Sequence, residues 1–186
     1  MNSQAKTLLV TAFSPGPPTG GRVLLSRVVS RALHDICGLH LSVLELEPRP
    51  LRGLDAVLGV ATGYVDGLTQ RVVTATVRIV EESGVEKVFI DGSNLGVLVK
   101  ALKRTRPTLE VTTLFHNCEA RFFLGSLRQN RSLRSIGVLL ANYRAERLAV
   151  KFSDKLLCLN LRDSALLSRL YGRSATHIMP RARCSW

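Results

Sequence analysis

Short apolar runs rich in β-branched residues alternate with longer segments of helical period along the whole chain. Runs that are apolar throughout fit strands buried on both faces, which belong to parallel sheets covered by helices. The pattern therefore predicts an α/β fold: a doubly wound, mainly parallel, Rossmann-like sheet over residues 1–180, with an irregular tail at 181–186. The six predicted strands cover residues 6–13, 40–46, 87–90, 110–115, 155–160 and 175–179.

Helical periodicity places the helices between these strands, at residues 22–36, about 54–83, 94–105, 133–152 and 163–171. Gly63 or Gly67 is expected to break the second helix, and the segment before Leu133 is predicted to be a looser connection. A chain of 186 residues can bury enough apolar surface to fold as one domain without a metal or a disulfide.

The four cysteines are widely scattered, with no CxxC pair and no histidine at zinc-binding spacing. They are Cys37, Cys118, Cys158 and Cys184. The first apolar run is too short for the core of an export signal. We therefore expect a cytoplasmic protein with reduced thiols.

The net positive charge of the chain comes entirely from its second half. Through Val99 there are nine Lys and Arg against nine Asp and Glu, whereas from Lys100 onward there are seventeen against five. This asymmetry predicts an anionic partner, which is nucleic acid, lipid headgroups or a phosphorylated substrate, and the alternative is a solvated basic surface. Aromatic residues are only 5% of the chain, which disfavours a nucleic-acid binder that stacks bases.

Two loops are the candidates for a binding site. Ligands of open parallel sheets bind beyond the carboxyl ends of the strands, where the strand order reverses. With the common order 3-2-1-4-5-6, that crevice lies between the first and fourth strands. After the first strand, Gly20 and Gly21 enter a helix, and their backbone N–H groups with the helix N-terminus suit a phosphate. A purely structural turn is the alternative for these glycines.

The fourth strand is followed by His116 and Asn117, which we expect at the same edge of the sheet. A neutral imidazole can exchange hydrogen bonds with a substrate hydroxyl, whereas the alternative is a histidine that satisfies local backbone groups. Asn117 and Glu119 are candidate acceptor-binding residues, although Glu119 could instead open the next segment. Asp91 ends the third strand and is expected to cap the following helix rather than bind a metal.

The chain resembles the family-4 glycosyltransferases, which adopt the two-domain GT-B fold. Residues 115–119 (FHNCE) are similar to the family's (F/H)HN-x-E run, and residues 143–149 (YRAERLA) to its helix with E-x-x-a. Residues 152–159 (FSDKLLCL), 163–172 (DSALLSRLYG) and 178–180 (IMP) are similar to its next strand, helix and final strand. Gly20-Gly21-Arg22 matches the glycine-rich loop, so the resemblance covers nearly the whole chain.

The resemblance implies the acceptor-side half of an enzyme that transfers a sugar from a nucleotide-sugar to a saccharide or lipid-linked acceptor. His116 would contact the transferred sugar, and Gly20 and Gly21 would approach the donor diphosphate. The nucleotide-sugar is a co-substrate, and no metal is implied because GT-B enzymes stabilise the leaving diphosphate with side chains and helix N-termini.

The family's donor-binding half would follow residue 180, where this sequence has only six residues more. The chain alone is therefore expected to be inactive. It is predicted to be a truncated glycosyltransferase, or alternatively the non-catalytic, acceptor-binding subunit of a two-chain enzyme. A basic nucleic-acid-binding module is a further alternative. Apolar surface left near Gly20 and His116 by the missing half is expected to favour self-association.

Residues 121–136 combine basic and apolar side chains. They are Arg121, Arg128, Arg131 and Arg134 with Phe122, Phe123, Leu124, Leu127, Leu133 and Ile136. Each basic residue near an anionic leaflet contributes about 1 kcal/mol, so this segment predicts peripheral docking at the inner face of the membrane. The alternative is that Phe122, Phe123 and Leu124 pack on the sheet and leave the arginines solvated.

Overall fold

The predicted α/β fold is confirmed by the computed structural model, which describes residues 5–12, 20–47, 59, 61–65 and 67–179. Within these residues a single sheet of parallel strands runs in the order β2-β1-β3-β4-β5-β6. The strands are β1 (Thr7–Ala12), β2 (Leu41–Leu46), β3 (Lys87–Asp91), β4 (Glu110–Phe115), β5 (Lys155–Cys158) and β6 (His177–Ile178). The predicted tail at 181–186 lies outside the described residues.

The strand order differs from the expected 3-2-1-4-5-6. β1 lies between β2 and β3, so the order reverses between β1 and β3 and not between the first and fourth strands. β4 lies one strand further along, next to β3. The crevice expected at the reversal therefore belongs to β1 and β3, and the residues that follow β4 reach it from the neighbouring strand.

Helices cover the sheet between successive strands. They are α1 (Gly21–Cys37), α2 (Gln70–Ser83), α3 (Gly96–Thr105), α4 (Glu119–Gln129), α5 (Leu133–Phe152) and α6 (Leu161–Tyr171), with short 3-10 turns at Gly38–His40 and Ser93–Leu95. None of the helices in the described ranges is long and apolar enough to span a bilayer.

The second predicted helix is broken by the expected glycines. Gly63 and Gly67 both have positive φ, at 82° and 79°, a conformation that a side chain disfavours. α2 begins only at Gln70, where the Thr69 hydroxyl caps the helix by accepting a hydrogen bond from the backbone N–H of Val72. The first part of this predicted helix, residues 54–58, lies outside the described residues.

α4 stands where a looser connection was predicted. Ala120, Phe123, Leu124 and Leu127 have helical spacing, but only Ala120 is buried, so little of the helix is held by the core. Its first turn is instead held by Glu146, a residue of α5 that is distant in sequence. The pattern of residues within α4 cannot predict a contact with a residue so distant in sequence.

The main core fills one face of the sheet. Leu8, Val10, Val88, Ile90 and Val111 alternate along β1, β3 and β4 and pack with the apolar faces of α2 and α3. The carboxyl end of β4 is fully enclosed, because Leu114 and Phe115 are both 0% exposed. The loop that follows β4 is therefore attached to a rigid support.

Candidate functional site

An acid–histidine pair lies at the carboxyl edge of the sheet. Nε2 of His116 lies 2.7 Å from Oδ1 of Asp91, and the hydroxyl of Thr11 donates a 2.6 Å hydrogen bond to Oδ2 of Asp91. These side chains come from three adjacent strands, because Thr11 lies on β1, Asp91 ends β3 and His116 follows β4. Asp91 is in register with Leu114, so His116, two residues further on, projects to the same face.

Asp91 is held as a carboxylate. Its side chain is buried, and burial, which is the largest single effect, raises the pKa of the carboxyl group, whereas the hydrogen bond from His116 and the positive charge of that ring when protonated lower it. Hydrogen bonds from Ser26 and Thr11 act in the same direction, so the pKa lies below its ordinary value. An ionised Asp91 only accepts hydrogen bonds, and it therefore fixes the proton of a neutral His116 ring on Nε2.

Two buried polar atoms beside this pair have no hydrogen-bond partner among the described residues. They are Nδ1 of His116 and Oδ1 of Asn117. The His116 side chain is only 7% exposed. Buried polar atoms in proteins are normally hydrogen-bonded, so two adjacent acceptors of this kind are a marked exception. When the ring is neutral and Nε2 carries its proton, both atoms can accept a hydrogen bond from a ligand hydroxyl.

The amino end of α1 lies next to Asp91. Ser26, in the second turn of α1, hydrogen-bonds to that carboxylate. The helix begins at Gly21 with Gly20 at its cap position, where φ is +94°, and no acidic residue lies in the first turn. Among the described residues, a Cβ added to Gly20 or Gly21 would meet nothing within 4 Å, so these residues leave the backbone open to close approach. The structure thus brings Gly20 and Gly21 to the same edge as His116.

The loop after β3 completes this edge. Gly92 has φ of +132°, and a Cβ there would lie 2.5 Å from Oδ1 of Asn94 and 3.4 Å from an Arg22 nitrogen. Only glycine fits such a position without displacing its neighbours. Arg22 therefore lies beside the Asp91 loop and brings a fixed positive charge to it.

The expected capping role of Asp91 is wrong. The 3-10 turn at Ser93–Leu95 is preceded by Gly92 and has no side-chain cap in the described structure. Asp91 is instead the partner of His116, which the sequence analysis did not identify. Its position directly at the end of an apolar strand was the only available signal, since it placed a carboxylate at the ligand-binding edge.

Glu119 opens α4 and its backbone takes part in a buried cluster. Its N–H donates a 2.8 Å hydrogen bond to Oε1 of Glu146, and Tyr171 donates through its hydroxyl to Oε2 at 2.6 Å. Burial raises the pKa of Glu146, although the hydrogen bonds from Tyr171, Glu119, Ala120 and Cys118 oppose this. This carboxylate supports the loop that carries His116 and Asn117, and it was missed because its partners are distant in sequence.

The four arginines proposed for membrane docking belong to other elements than the strand ends that carry the acid–histidine pair. Arg121, Arg128, Arg131 and Arg134 are exposed, on α4, the following turn and the first turn of α5. Phe122 is 60% exposed and Leu124 is 40% exposed. The alternative, in which Phe122, Phe123 and Leu124 pack on the sheet and leave the arginines solvated, therefore does not hold for Phe122, whereas Phe123 is half-buried and all four arginines are exposed as it expected.

The other features of the described residues contribute no chemical group to the carboxyl edge of the sheet. A cavity of about 270 Å³ lies at the opposite, amino end of the strands, lined by residues that include Thr7, Cys37, Phe89 and Thr112. Within the described ranges, no three His, Cys, Asp or Glu side chains are grouped so as to hold a metal ion.

No protein-family model matches this chain, and comparison with curated proteins finds none that is similar to it.

Proposed function

We propose that this chain is the acceptor-binding half of a GT-B-type glycosyltransferase, which transfers a sugar from a nucleotide-sugar to a saccharide or lipid-linked acceptor. The observation that carries the proposal is the Asp91–His116 pair at the carboxyl edge of the sheet, with Nδ1 of His116 buried and without a partner among the described residues. The resemblance of residues 115–119 to the family's motif assigns sugar contact to this same histidine.

The pair suits recognition of a sugar hydroxyl. Asp91, as a carboxylate, orients the ring through Nε2–H and leaves Nδ1 as an acceptor. A hydroxyl that donates to Nδ1 of His116 and to Oδ1 of Asn117 would satisfy both unpartnered atoms. The same arrangement lets His116 receive a proton from a reacting hydroxyl while Asp91 stabilises the resulting imidazolium, a role that acid–histidine pairs serve in other enzymes.

The start of α1 suits the diphosphate of the donor. Backbone N–H groups at a helix N-terminus carry partial positive charge, and here the cap position is a glycine and Arg22 adds a full charge. In this proposal Gly20 and Gly21 face the phosphates, whereas most contacts to the nucleotide come from the donor-binding half of the GT-B fold.

The proposal is tested by titrating isotope-labelled protein with mono- and disaccharides and following the imidazole resonances by NMR. We expect saturable shifts at His116 and at the side-chain amide of Asn117. His116→Ala should abolish saccharide binding, while His34→Ala, a matched change of an exposed histidine on α1, should leave it intact.

Two results would contradict the proposal. One is saccharide binding that is unaffected by His116→Ala. The other is tight binding of a nucleotide-sugar to this chain alone in a calorimetric titration, because that would place the complete donor site on the half assigned to the acceptor.

A further inference from the structure

A helical hairpin stands out from the packed core. Residues 121–140, here named the hairpin tip, comprise most of α4, the following turn and the first two turns of α5. α4 and α5 pack against each other. α4 buries only Ala120, and the buried residues of α5 begin at Ala141. The hairpin tip itself therefore has no residue in the protein core.

The hairpin tip projects from the edge that carries the candidate site. Glu146 is level with the first turn of α4, because its carboxylate accepts hydrogen bonds from the N–H groups of Glu119 and Ala120. α5 reaches that level only after residues 133–145, which extend past the start of α4 by about 20 Å at 1.5 Å per residue. α4 starts directly after the loop that contains His116. The projection and the Asp91–His116 pair thus share one side of the molecule.

The hairpin tip exposes large apolar side chains. On α5, Leu133, Ile136 and Leu140 are 88%, 42% and 48% exposed, and their spacing of three and four residues places them on one helix face. On α4, Phe122 and Leu124 are also exposed. An amphipathic face of this kind, unsupported by a core, indicates a surface that is covered in use.

The charges on the hairpin tip indicate which kind of partner covers it. Residues 121–140 contain four arginines and no acidic residue, and all four arginines are exposed. A second copy of the chain would bring four further arginines to the contact, and a nucleic acid would leave the apolar face in water. An anionic bilayer surface satisfies both parts of the pattern, because headgroups take the arginines and the acyl boundary takes the apolar side chains.

We propose that the hairpin tip docks the protein on an anionic membrane surface. Each arginine near the leaflet raises the partition coefficient about fivefold. Four arginines near the leaflet, together with Phe and Leu side chains that enter the headgroup boundary, give reversible attachment. This attachment needs no membrane-spanning element. The docked hairpin would hold the carboxyl edge of the sheet towards the bilayer, within reach of a lipid-linked molecule.

The experiment is co-sedimentation of the full chain with vesicles of phosphatidylcholine alone or mixed with phosphatidylglycerol. We expect binding to the anionic vesicles, weakening as salt is raised, and little binding to the neutral ones. Arg128→Gln, Arg131→Gln and Arg134→Gln together should reduce the partition coefficient roughly 100-fold. The matched control changes Arg104, Arg162 and Arg169, which are exposed on α3 and α6, to Gln and should bind almost as the wild type does.

The apolar part is tested separately. Leu133→Ser with Ile136→Ser alters no charge and no core residue, and it should reduce binding about tenfold. As a direct reporter, Leu133→Trp in a Trp186→Phe background carries a single tryptophan, whose emission should shift to the blue on anionic vesicles. Circular dichroism of each variant verifies that it is folded.

Several results would overturn the proposal. They are equal binding to neutral vesicles, unchanged binding of the serine variant, or a loss in the three-arginine variant no larger than in its control. The proposal would also be overturned if these arginines bound nucleic acid and the protein did not bind vesicles. The same holds if the wild type formed a dimer that the serine variant does not form, and did not bind vesicles. None of these results bears on the sugar-binding role of His116, since the hairpin tip does not contain it.

Discussion

Glu146 closes the N-terminus of α4 by accepting the backbone N–H of Glu119 at 2.8 Å. Its second oxygen accepts from the N–H of Ala120 at 3.2 Å and from the hydroxyl of Tyr171 at 2.6 Å. One buried carboxylate therefore joins α5, the start of α4 and the end of α6. Because α4 starts directly after His116 and Asn117, this contact also fixes the loop on which the proposed sugar site depends.

Glu146→Ala should lower the free energy of unfolding by about 3 kcal/mol. The substitution leaves two backbone N–H groups and the Tyr171 hydroxyl without their acceptor, and a buried unsatisfied donor costs about 1–3 kcal/mol. Amide hydrogen exchange at Glu119 and Ala120 should become faster than in the wild type. Glu82→Ala, which removes an exposed ion pair with Arg78, is the control and should cost less than about 0.5 kcal/mol. Similar losses for the two variants would contradict this role of Glu146.

Asp91→Asn should remove a pH-dependent part of the stability. The pKa of Asp91 is lower in the folded protein than its ordinary value of 3.8, so its carboxylate stabilises the fold above that value. This contribution is lost as the pH falls through the folded pKa. The difference in unfolding free energy between wild type and Asp91→Asn should therefore be largest above about pH 4 and shrink below it. Urea titrations across this range measure the difference.

Thr11→Val supplies a second, independent check of Asp91. Thr11 donates a 2.6 Å hydrogen bond to Oδ2, which is one of the interactions that lower the pKa of Asp91. Without that donor, the folded pKa of Asp91 should move up towards its ordinary value, so the acid-dependent loss of stability should be smaller and should be complete at a higher pH. An unchanged acid transition in Thr11→Val would be evidence against the assigned network.

Gly96→Ala should destabilise the protein severely, by more than about 3 kcal/mol. A Cβ at Gly96 would lie 1.8 Å from the carbonyl oxygen of Ala145 and 2.6 Å from the backbone nitrogen of Ala149, so α3 and α5 would have to separate. Gly125→Ala is the matched control, since no atom of the described residues lies within 4 Å of a Cβ on this helical glycine. It should stabilise the protein by about 0.5–1 kcal/mol. Thermal melts of the two variants should therefore shift in opposite directions.

Much of the sheet could be predicted because its strands are continuous apolar runs. β4 has the predicted bounds, and each of the other strands falls within or one residue beyond its predicted range. The strand order could not be predicted in the same way, because the same alternating pattern fits more than one right-handed arrangement of crossovers. Which strand pairs with β1 is decided by packing between segments distant in sequence.

The unpredicted strand order explains why Asp91 was not predicted as part of the candidate site. His116 and Asn117 were found because any residue after a buried parallel strand lies at the ligand-binding edge. In the expected order, however, the third and fourth strands would be separated by two others, or about 14 Å, at about 4.8 Å per strand. Asp91 could not have met His116 across that distance. The observed adjacency of β3 and β4 is what creates the acid–histidine pair.

The thiols of Cys118 and Cys158 should resist alkylation in the folded protein. Burial, and then the negative charge of Glu146, raises the pKa of Cys118 to about 12. Burial, and then the charges of Asp163 and Glu146, raises the pKa of Cys158 to about 12. The thiolate is the reactive form, and at pH 8 a pKa near 12 leaves about one molecule in 10,000 ionised. Iodoacetamide at this pH should therefore modify neither residue until the chain is unfolded in urea.

Peptide mapping by mass spectrometry locates the modified cysteines. Ser126→Cys, at an exposed position on α4, is the control and should react within minutes under the same conditions. If Cys118 reacted in the folded protein as fast as the introduced cysteine, the loop between β4 and α4 would be open rather than held by Glu146. Glu146→Ala should speed the labelling of Cys118 selectively, because it removes the hydrogen-bond partner of that thiol and the cap of α4, whereas burial and the charge of Asp163 still raise the pKa of Cys158. Selective labelling of Cys118 in this variant would thus tie the reactivity of the loop to a single carboxylate.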